Sequence, residues 1–359
     1  MWPDTRLLDL FEIEHPILLA PMAGPSTAEL GIAVSEAGGL GSFACATSTA
    51  DQVRTAMDVI RQRTAKPINL NFFAHTLPEP DAAREADWRA QLRDYYLELG
   101  LDPDNVPSST RAPFDEASCT IVEAFKPEVV SFHFGLPEPS LLDRVKATGA
   151  KVIASATTVA EAKWLDERGC DAIIAQGNEA GGHRGIFLSD SIATQPGTFA
   201  LVPQVVDAVS VPVIAAGGIS DARGIAAALA LGASGAQIGS AYLFCPEAKV
   251  SDLHRAALRA ARDDNTVLTN LFTGRPARGV INRVMRELGP MSTRVPAFPL
   301  AGGALAPLKA AAEEKGSSDF SSLWAGQAAS LGREMPAEQL TRLLVDQALE
   351  RLEALTSRR

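Results

Sequence analysis

Short apolar runs alternate with longer helical stretches through the first two thirds of the chain. Eight of these runs are apolar throughout, which is the pattern of parallel strands that are buried on both faces. Most of the segments between them have the length of a helix. They begin at a Thr or Asp cap and are followed by glycine, as in 27–37, 158–168 and 221–231. The eight predicted strands span residues 17–20, 40–44, 67–72, 129–134, 151–155, 172–176, 211–215 and 236–238.

Eight strand units joined by helical crossovers predict an α/β fold, and their number favours a closed (β/α)8 TIM barrel over an open sheet. Two stretches depart from the repeat. Residues 77–115 are charged and rich in proline, and we interpret them as an insertion with a helix near 82–99. Residues 246–359 show further helical patterns. We therefore expect a barrel over residues 1–245 and a mainly helical C-terminal subdomain over 246–359, which with the insertion forms an added helical domain.

The composition fits one barrel with additions, because the chain has 359 residues and such barrels take about 250. Hydrophobic residues make up 46% and the mean hydropathy is +0.05, so a large core is available and disorder is not expected. The 43 acidic residues outnumber the 33 basic ones, and the net charge of −10 argues against a surface that binds nucleic acid.

The pattern predicts a cytoplasmic protein. No apolar stretch approaches the roughly 18 residues that a membrane span requires, and the N-terminus has no apolar signal core. Cys45, Cys119, Cys170 and Cys245 are far apart and form no CxxC pair, which indicates reduced thiols rather than disulfides. Neither an HExxH motif nor another metal-ligand spacing occurs, so we expect no metal site.

The active site of such a barrel lies at the carboxyl ends of its strands. Residues 20–24, after the first strand, are small or proline and let the backbone approach a flat ligand, although an ordinary tight turn has the same composition. Gly217 and Gly218 follow the seventh strand, and Gly239 and Ser240 follow the eighth. Barrels often bind phosphate at these two loops through backbone N–H groups, with close strand–helix packing as the alternative explanation.

The loop after the sixth strand, residues 176–185, is the most polar in the chain. His183 lies among its glycines, and an ordinary pKa near neutrality makes it a candidate acid or base, with a surface histidine as the alternative. His133 ends the fourth strand and would support the site from behind, unless it is a plain core histidine. An ion pair between Glu179 and Arg184 would shape the loop.

The third strand places Asn69 and Asn71 on one face, because side chains two residues apart in a strand point the same way. Buried amides need partners, and the edge of a heteroaromatic ring provides them. A hydrogen bond to a neighbouring strand is the alternative.

Six motifs occur in the order in which a known family has them. They are PILLAPMAG at 16–24, AGGLG at 37–41, VSFHFG at 130–135, EAGGHRG at 179–185, AAGGI at 215–219 and LWAGQ at 323–327. Other flavin barrels share each single motif, but the ordered set is specific. Over about residues 5–350 the chain resembles the class I nitronate monooxygenases, formerly called 2-nitropropane dioxygenases.

This resemblance implies a TIM barrel with an added helical domain and noncovalently bound FMN. It also implies oxidation of alkyl nitronates, of the propionate 3-nitronate type, by O2 to an aldehyde or oxo acid plus nitrite or nitrate. Met22 and Ala23 would lie beside the isoalloxazine, and glycines near Ser240 would surround the phosphate. The implied FMN-binding residues are Pro21, Met22, Ala23, Asn71, Gln176, Gly181, Gly182, Gly217, Gly218, Gln237, Ile238, Gly239 and Ser240.

The resemblance also assigns residues to the substrate. His183 matches the active-site histidine of the family and would bond the nitro oxygens, or take the α-proton of a neutral nitroalkane. His133 is placed with the substrate residues. Phe298 stands where the family implies a tyrosine, so substrate preference would differ. Lys309 would supply a positive charge for an anionic substrate.

Three alternatives stay open. The first is an FMN-dependent NAD(P)H:quinone or enoyl reductase on the same barrel. The second is a non-catalytic flavin-binding barrel, against which His183 argues because binding alone needs no titrating group. The third is a nucleotide-processing barrel, which would need a cysteine in the loop that carries His183. The expected partners are a small-molecule nitronate and O2, and neither nucleic acid nor a membrane. The sequence pattern does not determine the oligomeric state; a homodimer is the expectation that we adopt.

Overall fold

The structure is a computed structural model and describes residues 1–109 and 111–356. Residue 110 of the predicted insertion and residues 357–359 of the predicted C-terminal subdomain lie outside the described residues. The strands are β1 Ile17–Leu19, β2 Gly41–Ala44, β3 Ile68–Phe73, β4 Val129–His133, β5 Lys151–Ala156, β6 Ala172–Gln176, β7 Gly182–His183, β8 Val213–Ala216, β9 Gly235–Ile238, β10 Thr266–Thr269 and β11 Ala277–Val280.

Thirteen α-helices occur in the described residues. They are α1 Arg6–Phe11, α2 Ala28–Glu36, α3 Ala50–Arg63, α4 Ala82–Leu99, α5 Glu116–Phe125, α6 Pro139–Ala147, α7 Val159–Asp166, α8 Thr198–Val206, α9 Ala222–Ala230, α10 Asp252–Arg259, α11 Arg283–Leu288, α12 Gly302–Glu314 and α13 Ala337–Thr356. The predicted caps are present, since Thr27, Thr158 and Asp221 each accept a hydrogen bond from a backbone N–H in the first turn.

Eight parallel strands form a nearly closed barrel in the order β1-β9-β8-β6-β5-β4-β3-β2. The last gap, between β1 and β2, is bridged at Leu40, whose N–H donates to the Ile17 carbonyl and whose carbonyl accepts from Leu19 N, both at 2.9 Å. The predicted (β/α)8 barrel is therefore confirmed. The seventh predicted strand begins too early, because Pro212 has no N–H to donate and β8 starts only at Val213.

The segment after β9 adds two features to the barrel. Strands β10, β11 and β7 form a small antiparallel sheet, which the sequence pattern did not predict. A second hydrophobic core joins the insertion helix α4, through Trp88 and Tyr96, to Phe272 and Leu305 of the C-terminal segment. The exact domain limits stay a prediction.

Helix α13 returns to the barrel. It packs against α9 and α2, and Leu340, Leu344 and Ala348 belong to the same core cluster as the barrel strands. The pattern had placed this helix in the C-terminal subdomain, but its apolar face covers the barrel wall beside α9. None of the helices in residues 1–109 and 111–356 is long and apolar enough to cross a membrane.

Candidate active site

A cavity of about 720 Å³ opens at the carboxyl ends of the barrel strands, within the range of about 300–1,000 Å³ that is usual for small-molecule sites. Loops from β1, β3, β4, β6, β8 and β9 meet there, as the barrel fold requires. The predicted site residues in its wall are Pro21, Met22, Ala23, Asn71, His133, Gln176, Gly181, Gly182, His183, Gly217, Gly218, Gln237, Gly239, Ser240 and Lys309.

Two predicted site residues do not line the cavity. Ile238 is fully buried in the core between strands and helices, because side chains alternate along β9 and its neighbour Gln237 faces inward. Phe298 is buried outside the wall, in a cluster with Phe73 and Phe134. It still contacts the site, since its ring centre lies 5.6 Å from that of His183.

The glycine end of the cavity is formed by Gly181, Gly217, Gly218, Gly239 and Ser240. Gly217 and Gly218 have φ values of 110° and 70°, which side chains other than glycine rarely adopt. A Cβ at Gly217 would also lie 3.0 Å from a backbone nitrogen of the sixth-strand loop. The Ser240 Oγ accepts a hydrogen bond from a backbone N–H at 2.8 Å. These five residues therefore present backbone groups and one hydroxyl group to the cavity.

Two amides in the wall keep an acceptor for a ligand. The Oε1 atom of Gln237 is buried without any hydrogen-bond partner in the described residues. Asn71 donates from Nδ2 to the Ser131 Oγ at 2.9 Å, which leaves its Oδ1 unpaired with those residues. Asn71 thus also forms the hydrogen bond to a neighbouring strand that we named as the alternative to a ligand contact. Asn69 bonds Ser42 and lies outside the cavity wall.

Gln176 has both ends of its amide bound within the loop that carries His183. Its Nε2 donates to the His183 carbonyl at 3.0 Å, and its Oε1 accepts from Gly185 N at 2.7 Å. The resemblance implied a contact between this amide and the cofactor. In the structure the amide fixes the loop that positions the histidine, and Gln176 also lines the cavity.

Arg184 is fully buried and anchors the same loop, but the expected ion pair with Glu179 does not form in the described residues. Its guanidinium donates to the Gln176 carbonyl at 2.7 Å and to Gln195 Oε1 at 2.9 Å. Glu179 instead accepts from Thr198 N at 2.8 Å. Burial lowers the pKa of Arg184 to about 10, so the group remains charged at neutral pH.

His183 lines the same cavity. Strand β7 holds it against β11, where it pairs with Ala277, and its Nε2 is 2.9 Å from the Thr273 Oγ1. Burial lowers the pKa of His183 well below its ordinary value, and the nearby positive charges of Arg111 and Arg275 lower it further. The imidazole is therefore neutral at pH 7.

Two more histidines lie near His183. We define the histidine end as His183, His133 and Arg111, which line the cavity, together with His75 and Phe298, which do not. His133 Nε2 donates to the His183 carbonyl at 3.2 Å, and its Nδ1 accepts from a serine hydroxyl at 3.1 Å. His75 Nε2 donates to the Arg111 carbonyl at 3.0 Å. Burial lowers the pKa of His133 to about 3 and that of His75 to about 4, so both stay neutral.

Sequence reasoning missed several residues at this end. Arg111 lies in the insertion, where no periodic pattern marks a cavity residue, and Thr273 and Trp324 come from the C-terminal segment. The LWAGQ motif was the one signal for Trp324, whose ring centre is 5.7 Å from that of His183. Lys309 does line the cavity, but its Nζ is 3.9 Å from Glu313 Oε1.

The four cysteines lack the properties of a catalytic nucleophile. All four are buried, and burial raises the pKa of Cys170 and of Cys245 to about 12. A thiol with so high a pKa is almost fully protonated at pH 7 and is a weak nucleophile. The alternative of a barrel with a catalytic cysteine is therefore disfavoured.

Comparison with known proteins gives a consistent result. The sequence profile of nitronate monooxygenases matches residues 4–347. The nitronate monooxygenase of Pseudomonas aeruginosa is 42% identical over 96% of this chain and 98% of its own. That of Paraburkholderia phytofirmans is 41% identical over 97% of this chain and 96% of its own.

Two solved structures share the whole fold. The nitroalkane oxidase of Streptomyces ansochromogenes superimposes with a TM-score of 0.89 at 37% identity, covering 98% of this chain and 99% of its own. FabK of Thermotoga maritima is more distant, with a TM-score of 0.73 at 31% identity and 98% coverage of both chains. Taken with the barrel and the histidine at its mouth, these matches show that the chain belongs to the nitronate monooxygenase family of oxidoreductases.

Proposed function

We propose that this protein binds FMN in the cavity and oxidises alkyl nitronates with O2, with propionate 3-nitronate as the type of substrate. The products are an aldehyde or oxo acid plus nitrite or nitrate. The observation that carries the proposal is that His183 lines the same cavity as the glycine end. Membership of the family supports the reaction class.

The residues present fit FMN on three grounds. The unpaired Oε1 of Gln237 and the free Oδ1 of Asn71 can accept from the N–H groups of a heteroaromatic ring or from hydroxyls. The glycine turn at Gly217 and Gly218, ahead of α9, suits a phosphate group. Met22 and its small neighbours leave room for a flat ring. When bound, FMN supplies the electron acceptor that the side chains of this chain lack.

The chemistry assigned to His183 follows from its charge state. A neutral imidazole can donate or accept one hydrogen bond at Nδ1, the nitrogen that Thr273 leaves free. This suits the nitro oxygens of a nitronate, which needs orientation rather than deprotonation. The lowered pKa makes His183 a weak base, so we expect the α-proton of a neutral nitroalkane to be taken slowly.

A reductase is the second candidate, because the chain is also similar to FabK of Thermotoga maritima. A reductase would take electrons from NAD(P)H, whereas a nitronate oxidase takes them from the nitronate itself. The two functions therefore differ in which compound bleaches the flavin under anaerobic conditions.

The deciding experiment begins with the absorbance spectrum of the purified protein, to detect the flavin, and identification of the released cofactor as FMN. Oxygen uptake is then measured with propionate 3-nitronate, and anaerobic flavin bleaching is measured with NADH and NADPH. Oxygen uptake with nitronate and a flavin unaffected by either nicotinamide are the expected results. Rapid bleaching by NADH without nitronate turnover would favour the reductase. A bound flavin with neither activity would favour the non-catalytic barrel.

The assembly and location of the protein are part of the same proposal. We propose a homodimer in the cytoplasm. Light scattering on the eluted protein tests the first point, and cell fractionation tests the second.

A further inference from the structure

Three cationic side chains line the cavity, and they differ in what balances their charge. Lys309 is paired with Glu313, and Lys249 is exposed to water. Arg111 is half-buried, and its guanidinium forms no ion pair and no hydrogen bond with any residue of 1–109 or 111–356. The five N–H donors of this partly desolvated guanidinium need acceptors, which water in the cavity or a ligand can supply.

Arg111 is fixed at the histidine end of the cavity. Its carbonyl accepts from His75 Nε2 at 3.0 Å, which ties the backbone down. Its guanidinium carbon lies 5.9 Å from the ring centre of Phe298, and that ring contacts His183. Phe298 has no polar atom, so the guanidinium supplies the hydrogen-bond donors beside this ring.

The electrostatic environment agrees with this position. Burial lowers the pKa of Arg111, and the charge of Arg111 in turn lowers the pKa of His183. The charge of Lys309 acts on the neighbouring His254 instead. The positive potential next to His183 therefore comes from Arg111 and Arg275 rather than from Lys309.

We infer that Arg111 determines specificity by binding a carboxylate on the carbon chain of the substrate, while His183 contacts the nitro oxygens. The inference rests on the proposed function and deepens it. The planar fork of a guanidinium matches the two oxygens of a carboxylate, which a lysine cannot do with the same geometry. Nitronates that carry a carboxylate are thus preferred over alkyl nitronates of the same length.

The test compares two substrates that differ only in that group, propionate 3-nitronate and 1-nitropropane nitronate, whose methyl replaces the carboxylate. In Arg111→Gln we expect KM for propionate 3-nitronate to rise roughly 10- to 100-fold, the range of a hydrogen-bonded charge pair. KM for the methyl compound should change less than about threefold, since it makes no such pair. Arg111→Lys should recover part of the difference.

Two variants control the comparison. Arg262→Gln removes an exposed arginine outside the cavity and should behave as the wild type. Lys309→Gln tests the rival cation. The inference is overturned if Lys309→Gln, and not Arg111→Gln, changes the ratio of the two KM values. The inference is also overturned if Arg111→Gln raises both KM values equally, because Arg111 would then act only by changing His183 and not by binding the carboxylate.

A binding measurement keeps the test independent of turnover. Dissociation constants of 3-nitropropionate and 1-nitropropane are measured by the fluorescence of the tryptophans, one of which, Trp324, lines the cavity. Arg111→Gln should weaken only the carboxylate compound, and equal affinity in wild type and variant would refute the inference. If the wild type oxidises neither nitronate, the proposed function fails while these constants still decide the role of Arg111.

Discussion

The glycine end and the histidine end of the cavity differ in the groups that they offer to a ligand. The glycine end offers backbone N–H groups in a turn with positive φ values, and four of its five residues have no side chain. The histidine end consists of side chains, three neutral imidazoles and the half-buried Arg111, beside Arg275 and a cluster of phenylalanine rings. The glycine end constrains the shape of the cavity, because a Cβ at Gly181 or at Gly217 would lie 3.0 Å or less from a backbone nitrogen. The histidine end offers charge and hydrogen-bonding groups, so we expect the identity of each group to matter there.

The largest expected effect is at His183. In His183→Asn we expect kcat/KM for propionate 3-nitronate to fall by about 100- to 1,000-fold, the usual cost of losing one positioned hydrogen-bond donor to a reacting oxygen. FMN should remain bound, since the glycine end is untouched, and absorbance at the flavin maximum measures this. His15→Asn, at the N-terminal segment outside the cavity, is the control for loss of a histidine. An unchanged rate in His183→Asn would remove His183 from the mechanism.

A smaller effect, on binding, is expected at the glycine end. Gly217→Ala should raise the Kd of FMN roughly 10- to 100-fold, because a non-glycine residue at φ 110° is strained by about 1–3 kcal/mol and its Cβ meets backbone. The matched control is Gly149→Ala, with φ 91° and open space around the added Cβ. It should lower stability without changing FMN affinity. Equal FMN affinity in both variants would mean that the turn at Gly217 does not hold the cofactor.

The loop between the two ends should respond less strongly. Arg184→Met leaves the Gln176 carbonyl and Gln195 without their charged donor, which we expect to lower the free energy of unfolding by about 1–3 kcal/mol. Turnover should fall by about tenfold, since a shift of the loop moves His183. Thermal unfolding and oxygen uptake measure the two effects. Loss of stability with full kcat would show that the loop keeps its place without Arg184.

The effect that we expect to be smallest near neutral pH is a pH dependence of stability. His75 has a pKa of about 4 in the folded protein and about 6.5 when unfolded, because burial disfavours its charged form. Between these values only the unfolded chain is protonated, so stability falls as the pH is lowered, by about 1.4 kcal/mol per pH unit for this group. Chemical denaturation of wild type and His75→Gln measures it. The two curves should run parallel above pH 7 and diverge below 6.5, with the variant less sensitive; parallel curves throughout would contradict the lowered pKa.

The fold was largely predictable from the sequence. Continuous apolar runs and capped helices are local signals, and they placed all eight barrel strands within a few residues. The short strands β10 and β11 were missed, since Thr266–Thr269 is only four residues long and Gly279 interrupts the other run. The position of α13 was also missed, because an apolar face does not say which surface it covers.

The site was predictable where residues follow barrel strands. The glycines after β8 and β9, and His183 after β6, lie at strand ends that the fold brings together. Arg111 comes from the insertion, and its approach to His183 depends on tertiary packing that no spacing reveals. Ile238 was placed in the site with its motif neighbours, although the two-residue period of a strand turns it away from Gln237.

Because α13 packs on the barrel, the segment between β9 and α13, which contributes residues to the cavity wall, has a different place in the fold from an added C-terminal domain. The chain leaves the barrel after β9, builds the small sheet and helices α10 to α12, and then supplies the helix that packs beside α9 and α2. Residues 239–336 therefore form one long loop between the last barrel strand, β9, and the helix α13 that packs on the barrel. This segment is connected to the barrel at both of its ends and is not a domain that follows a completed barrel. Deletion of the residues after 330 would therefore expose the apolar backs of α9 and α2 as well as shorten the chain, and aggregation is the expected outcome.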